Sequence, residues 1–414
     1  MSRLFYTETR KRLAEQLEEG SLTLLFSGNA PKKSADECYP FTTNRHFYYL
    51  CGIKEEGIIL GLMKVKDEVK SILFIKKADP VMEKWVGKTI SKEEAEAISG
   101  ISEIHYLDAF ESTLHHAIMS GDVHKIYLDF EVDGFKNDLT KEQRFANDCK
   151  ERYPFVQFGN VHNHISALRM IKSEHEIDKL REAIQITDEG IRALMQNAKS
   201  GIMEYALEAH FDFVLKTHGI EDYAFKTIAA SGVNATVLHY SSNNSVIPQD
   251  SLILFDLGAQ YEYYNADITR TFPVEGKFTQ RQKLFYNIVL RANEEVIKMI
   301  KPGIPFTALN ERVKEIYFEE LEPLGLVETM EDVSKYYYHG VSHFLGLDTH
   351  DVGSRKVELQ EGMVLTVEPG LYIEEEAIGI RIEDDILVTA TGCENLSKDI
   401  IKTAEDIEAF MAKR

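Results

Sequence analysis

A change of texture near Ile165 to Lys172 divides this chain into two parts with different patterns. Before it, from Leu22 to about Phe158, short apolar runs alternate with polar, helix-prone segments. Leu22-Thr23-Leu24-Leu25-Phe26, Ile58-Ile59-Leu60-Gly61-Leu62 and Ser71-Ile72-Leu73-Phe74-Ile75 are the clearest of these runs, and the alternation reads as an α/β domain. After it, Ser173-Glu174-His175-Glu176 has the form of a capping box. Ile177, Leu180, Ile184, Ile191 and Leu194 follow at helical spacing. A chain of 414 residues is long for one hydrophobic core. The expectation is therefore a smaller α/β domain over 1–165 and a second domain over 166–414.

The second domain mixes helices with strands. Thr279-Gln280-Arg281-Gln282 opens a helix that carries Leu284, Phe285, Ile288, Val289, Val296 and Ile300 before Pro302-Gly303 ends it. A further helix is expected from about Thr307 to Leu321. Strands are expected over Leu252–Leu257, Glu262–Phe272, Met363–Glu368 and Gly379–Thr389. Helices and strands are segregated, which favours α+β over a doubly wound sheet.

Charge and cysteines narrow the function classes. A net charge of −21, from 47 basic and 68 acidic side chains, repels a polyphosphate backbone, so no nucleic-acid partner is expected. Cys38, Cys51, Cys149 and Cys393 show no C-x-x-C pairing and no dense disulfide spacing, which suits a reducing cytoplasm. The start, Met1-Ser2-Arg3-Leu4-Phe5-Tyr6-Thr7-Glu8, brings charges before an apolar core of a signal peptide could form. No later stretch reaches about 18 uncharged apolar residues, so neither a signal peptide nor a membrane span is expected.

Four strings carry chemistry. In Leu254-Phe255-Asp256-Leu257-Gly258 the aspartate ends an apolar run, where a buried carboxylate needs a partner or a metal to offset its desolvation. Asp267, in Asn265-Ala266-Asp267-Ile268-Thr269, follows eleven residues later. That spacing fits two antiparallel strands joined by a tight connection around Gly258 to Glu262, although each aspartate taken alone could equally cap a helix or close a turn. The string from Tyr338 to Asp351 holds His339, His343 and His350 among glycines and aromatics, so it reads as a loop and not as a zinc helix. Glu368 and Glu383 lie in or at the end of strand-forming runs. Side-chain alternation puts Arg381 and Glu383 on one face, and Asp384 and Asp385 are expected to cap or to face solvent.

Together Asp256, Asp267, Glu368 and Glu383 offer oxygen ligands and His343 one nitrogen. Four crowded carboxylates repel strongly, whereas two divalent cations balance them. Mostly oxygen donors with one imidazole suit Mn2+ first, with Co2+, Zn2+ or Fe2+ as alternatives. Two such ions roughly 3.5–4 Å apart can activate water and polarise a carbonyl, which is equipment for hydrolysing a peptide bond.

These strings resemble the metallopeptidase family that includes aminopeptidase P, prolidase and methionine aminopeptidase, whose catalytic domain has the pita-bread fold. The resemblance covers the whole second domain, with all five ligand positions in order. It implies that Asp256 chelates one metal, that Asp267 and Glu383 bridge both, and that His343 and Glu368 complete the other. It also implies that Glu368 moves a proton to the leaving nitrogen and that His350 steadies the tetrahedral intermediate. His239, from Val237-Leu238-His239-Tyr240, matches a histidine near the scissile bond, and His339 matches one lining a proline pocket. Arg381 and Tyr372 match positions that orient the ligands.

The run from Tyr39 to Gly52, which reads Tyr-Pro-Phe-Thr-Thr-Asn-Arg-His-Phe-Tyr-Tyr-Leu-Cys-Gly, resembles the amino-terminal domain of aminopeptidase P. Methionine aminopeptidases lack such a domain. One departure is Cys38, where bacterial-type members often carry an acid. The implied activity is release of the first residue from peptides with proline second. Prolidase, acting on Xaa-Pro dipeptides, is the alternative. A non-catalytic peptide-binding member of the fold is disfavoured because no ligand is missing. The resemblance also implies a homodimer or homotetramer. Trp85, the one tryptophan, lies near a segment that in relatives can reach a neighbouring subunit; the plainer reading is a partly buried structural aromatic.

Overall fold

The computed structural model describes residues 3–132 and 134–414, so Met1 and Ser2 of the amino-terminal string lie outside the described residues. The chain forms two compact units, Met1–Arg169 and Met170–Arg414. The division thus falls within the helix His162–Met170.

The first unit is built on a six-stranded sheet. Its centre is Ser21–Phe26, antiparallel to Ile59–Val65 and parallel to Lys125–Leu128. Glu68–Ile75 and Glu103–Tyr106 extend one side and Gln157–Asn160 the other. The central strand Ser21–Phe26 is buried along its whole length, which explains its nearly unbroken apolar run. Trp85 stands on the short helix Glu83–Val86 and is 81% exposed, against the plainer reading of a partly buried aromatic.

The second unit opens with the helix Glu174–Asn197, whose start is closed where Glu176 Oε2 accepts from the Ser173 N–H at 2.9 Å. Thr279 and Gln282 cap the helix Gln280–Met299 reciprocally. The helix Phe306–Leu321 follows. These helices cover a core that includes Phe211, Phe255, Phe272, Phe285 and Tyr317, with Phe255 and Phe272 stacked at 5.9 Å between centroids. Each such side chain contributes about 1.5–3 kcal/mol by leaving water.

Three small sheets frame the site. In the first, Leu252–Leu257 lies between Ile228–Ser231 and Ile268–Pro273. In the second, Asp384–Val388 lies between Val364–Val367 and Cys393–Asn395. The third pairs Gly370–Ile373 with Ile378–Arg381.

Two expected strands are broken, at Asp267 and at Glu383. The run Glu262–Phe272 divides into Tyr264–Asn265 and Ile268–Pro273, with Asp267 in the gap. Its reversal is at Glu262 and Tyr263, both at positive φ, and not nearer Gly258. Gly258 is needed for another reason: a Cβ there would fall 1.8 Å from the Ala266 carbonyl oxygen. The run Gly379–Thr389 divides into Ile378–Arg381 and Asp384–Val388, leaving Glu383 where the chain passes from one sheet to another. Among the described residues no helix is long and apolar enough to cross a membrane.

Candidate metal centre

Backbone pairing delivers each of the five proposed ligands. Asp256 lies opposite Thr269 in the antiparallel ladder. The Asp267 N–H donates to Asp385 Oδ2 at 3.2 Å and the Glu383 N–H to the Thr269 carbonyl at 3.1 Å, which ties both strand gaps to one place. The loop holding His343 runs beside Val364–Val367, with the Thr366 N–H on the His343 carbonyl and the Glu368 N–H on the Val341 carbonyl, each at 2.9 Å. His343 and Glu368 therefore face the same space.

Side-chain geometry within that space is tight. His343 Nε2 is 3.2 Å from Asp267 Oδ2 and 3.5 Å from Glu368 Oε1. Asp267, His343 and Glu383 can bring one ligand atom each within 4.8 Å of one another. His343 Nδ1 lies 3.0 Å from the Phe344 carbonyl, which can only accept. The neutral ring therefore carries its proton at Nδ1 and turns an Nε2 lone pair towards carboxylates.

The charge in the site asks for cations. Asp256 Oδ1 and Glu383 Oε1 are buried with no hydrogen-bond partner. Asp267 titrates well above the usual carboxylate range, raised by burial and then by the charge of Asp256. Glu383 is raised likewise, by burial and then by Asp267 and Glu368. Burial brings Glu368 to about 7, with His343 and Arg381 opposing. Orphaned oxygens, repelling acids and an imidazole lone pair are the donor set of a divalent-metal site. These residues fit two such ions.

One cation of the chain enters this group. Arg381 Nη2 donates to Asp256 Oδ2 at 2.5 Å, Nε to Thr269 Oγ1 at 3.0 Å and Nη1 to Tyr372 Oη at 3.0 Å. Thr269 Oγ1 in turn donates to Glu383 Oε2 at 2.7 Å. Tyr372 Oη lies 2.8 Å from His339 Nε2, and His339 Nδ1 lies 2.8 Å from the Gly340 carbonyl. The proton order is thus Arg381 to Tyr372 to His339. Burial, with the charge of Arg381, lowers His339 to about 4. Burial, with the nearby His343, lowers His350 to about 4, its ring centroid 4.3 Å from that of His343. His239 adds to the lowering of both.

The structure therefore assembles Asp256, Asp267, His343, Glu368 and Glu383, with His339, His350, Tyr372, Arg381 and His239 around them. Asp384 and Asp385, expected to cap or to face solvent, are both fully buried. Asp384 pairs with Arg270 at 2.8 Å and Lys402 at 2.7 Å, and Asp385 supports the Asp267 backbone. Thr269 was not singled out by sequence. Its place between Arg381 and Glu383 depends on strands more than a hundred residues apart.

A second histidine group lies in the first unit. His46 Nε2 is 3.2 Å from His162 Nδ1, which is 3.0 Å from Asp129 Oδ1. Arg169 Nη1 donates to His46 Nδ1 at 3.0 Å.

Comparison with known proteins agrees with this architecture. The profile of Metallopeptidase family M24 matches residues 178–390, a span that contains all five proposed ligands. The chain belongs to this family. The profile of the Aminopeptidase P N-terminal domain matches residues 6–127. Among M24 relatives, the Xaa-Pro aminopeptidase of Escherichia coli K12 is 35% identical over 99% of this chain and 98% of its own length. The Xaa-Pro dipeptidase of Homo sapiens is 30% identical over 97% and 92%. A Bacillus anthracis structure assigned to aminopeptidase P superposes with a TM-score of 0.98 at 54% identity, covering 100% of this chain and 99% of that one. The pita-bread fold and the metallopeptidase class thus stand, as does a requirement for divalent metal.

Proposed function

We propose that this M24 enzyme is an Xaa-Pro aminopeptidase, cleaving the bond between the first residue of a peptide and a proline in second position. The observation that carries this reading is the ring of Asp256, Asp267, His343, Glu368 and Glu383 with its orphaned oxygens, in a chain that the E. coli Xaa-Pro aminopeptidase matches from end to end. Those five residues would hold two divalent ions, with Mn2+ preferred over Co2+, Zn2+ or Fe2+. When bound, the ions supply polarisation of the scissile carbonyl and a water of lowered pKa.

The remaining work falls to side chains of this chain. Glu368 can take up a proton and return it to the leaving nitrogen. His350, lowered to about 4, stays neutral near pH 7, and it and His239 can donate to the oxygen of the tetrahedral intermediate. His339 is neutral too and, held by Tyr372, offers an uncharged wall to the proline ring. Proline lacks an amide hydrogen and has a fixed φ, so a pocket selects it by shape. Arg381 and Tyr372 keep the ligands and His339 in place.

The net charge of −21 supports a peptide rather than a nucleic-acid partner, and the four free cysteines support a cytoplasmic setting. The exposed Trp85 supports assembly as a homodimer or homotetramer. The domain limits we assign are 1–165 and 166–414.

Substrate length tests the reading. A matched Xaa-Pro-Xaa tripeptide should be cleaved with higher kcat/KM than Xaa-Pro, because contacts beyond proline can be used in the transition state. Cleavage of the dipeptide alone would make this a prolidase. Equal cleavage with alanine in second position would remove proline specificity.

A further inference from the structure

A buried carboxylate, that of Glu204, gathers the segment that carries His239. Glu204 opens the helix Glu204–Thr217 and is 0% exposed. Its Oε1 accepts from the Ser231 N–H at 2.9 Å, Ser231 Oγ at 2.7 Å and Asn234 Nδ2 at 3.1 Å. Its Oε2 accepts from the Ser245 N–H at 3.0 Å and Tyr240 Oη at 2.9 Å. These five donors are neutral, and they come from both ends and the middle of residues 231–245. Desolvating a carboxylate is expensive. Here five hydrogen bonds and the positive end of the helix offset that cost.

The same segment is pinned from its other side. A Cβ on Gly379 would fall 2.1 Å from the Ala235 carbonyl oxygen, so the turn Gly232–Thr236 rests directly on the strand that ends at Arg381. Tyr338 Oη donates to the Thr236 carbonyl at 2.5 Å. His239 thus projects from a short stretch clamped at Thr236 by Tyr338 and at Tyr240 by Glu204. That stretch lies against Tyr338, whose ring centroid is 5.1 Å from that of Tyr372, the residue that holds His339.

We propose that Glu204 is a positioning residue for His239, acting through Tyr240 and Asn234 without touching substrate. The proposal rests on the Xaa-Pro aminopeptidase reading, in which His239 works at the scissile bond. A carboxylate suits this post because both of its oxygens only accept. A glutamine would turn an NH2 group towards donors at one of them.

A double-mutant cycle on tripeptide hydrolysis tests it. Glu204→Gln should lower kcat/KM about 30- to 100-fold, the scale of an ångström-sized misplacement, with the loss in kcat more than in KM. In a His239→Ala background the same substitution should cost less than about threefold. Tyr240→Phe removes one of the five donors without touching a charge and should show a smaller loss, about three- to tenfold, that also vanishes without His239. This variant decides the matter if Glu204→Gln does not fold. Equal losses in both backgrounds would overturn the positioning role while leaving the aminopeptidase reading intact. Unchanged activity in His239→Ala alone would overturn the role of His239 and with it this proposal. Absence of any Xaa-Pro-Xaa cleavage by the wild-type protein would locate the failure in the aminopeptidase reading itself.

Discussion

Arg381 grips Asp256 at 2.5 Å, and it is the guanidinium's planar fork that lets the same side chain reach Thr269 and Tyr372 as well. Burial alone would lower the pKa of Arg381, but Tyr372, Asp256 and Glu383 outweigh it and raise the value further. The charge is therefore permanent, and what Arg381 contributes is geometry.

Arg381→Lys keeps the charge but offers a point donor in place of the fork. We expect kcat/KM for a tripeptide to fall about 10- to 100-fold, as for other residues that orient ligands, with metal content reduced in parallel. Full activity and full metal occupancy in the purified variant would refute the orienting role.

Removal of metal should abolish hydrolysis, and Mn2+ should restore it. The repelling carboxylates also predict an effect on stability, since ions that bind only the folded state stabilise it by about 2.7 kcal/mol at a hundredfold excess over Kd. Thermal scans with and without chelator should show a lower Tm in the metal-free sample. An unchanged Tm together with undiminished turnover would exclude a metal centre at these residues.

Asp384 neutralises two cations, the buried Arg270 and the half-buried Lys402. Burial raises its pKa, but these two partners outweigh it and hold the carboxyl well below its ordinary value. Asp384→Ala leaves Arg270 buried and unneutralised on that side, a loss of about 3–5 kcal/mol. Urea denaturation of the two proteins measures it, and a difference under about 1 kcal/mol would show that the pair behaves like a surface one.

The Asp129–His162 contact predicts a pH window for the first unit. The Asp129 hydrogen bond raises His162 above its ordinary value. For Asp129, burial acts upward, but the bond to His162 and the charges of His46 and His162 outweigh it and lower the pKa. Stabilisation through His162 is complete below its unfolded value of about 6.5 and is lost as pH rises through the folded value. Stabilisation through Asp129 is complete above its unfolded value of about 3.9 and is lost as pH falls through the folded value. His162→Gln should therefore lower the urea midpoint most between about pH 4 and 6.5, with a narrowing gap towards pH 9. A gap independent of pH would disprove the linkage.

Much of this protein was legible in local sequence. The capping boxes at Ser173 and Thr279 marked helix starts that the structure shows, because capping involves residues only three positions apart. The apolar runs that became strands, and the five proposed ligands with the histidines around them, were likewise readable in short strings. Burial of charge was not. Asp384 and Asp385 were expected to cap or to face solvent, because the short string around them does not show which partners the fold brings to them. Arg270, which pairs with Asp384, comes from 114 positions away. The strand breaks at Asp267 and Glu383 were hidden for a related reason: each lies in an otherwise continuous strand-forming run, and only pairing to different sheets shows where the ladder stops. Glu204 carried no motif at all. Periodicity and caps are local and can be read from one segment, whereas the fate of a carboxylate depends on which donors the finished fold brings to it, and that was settled only in three dimensions.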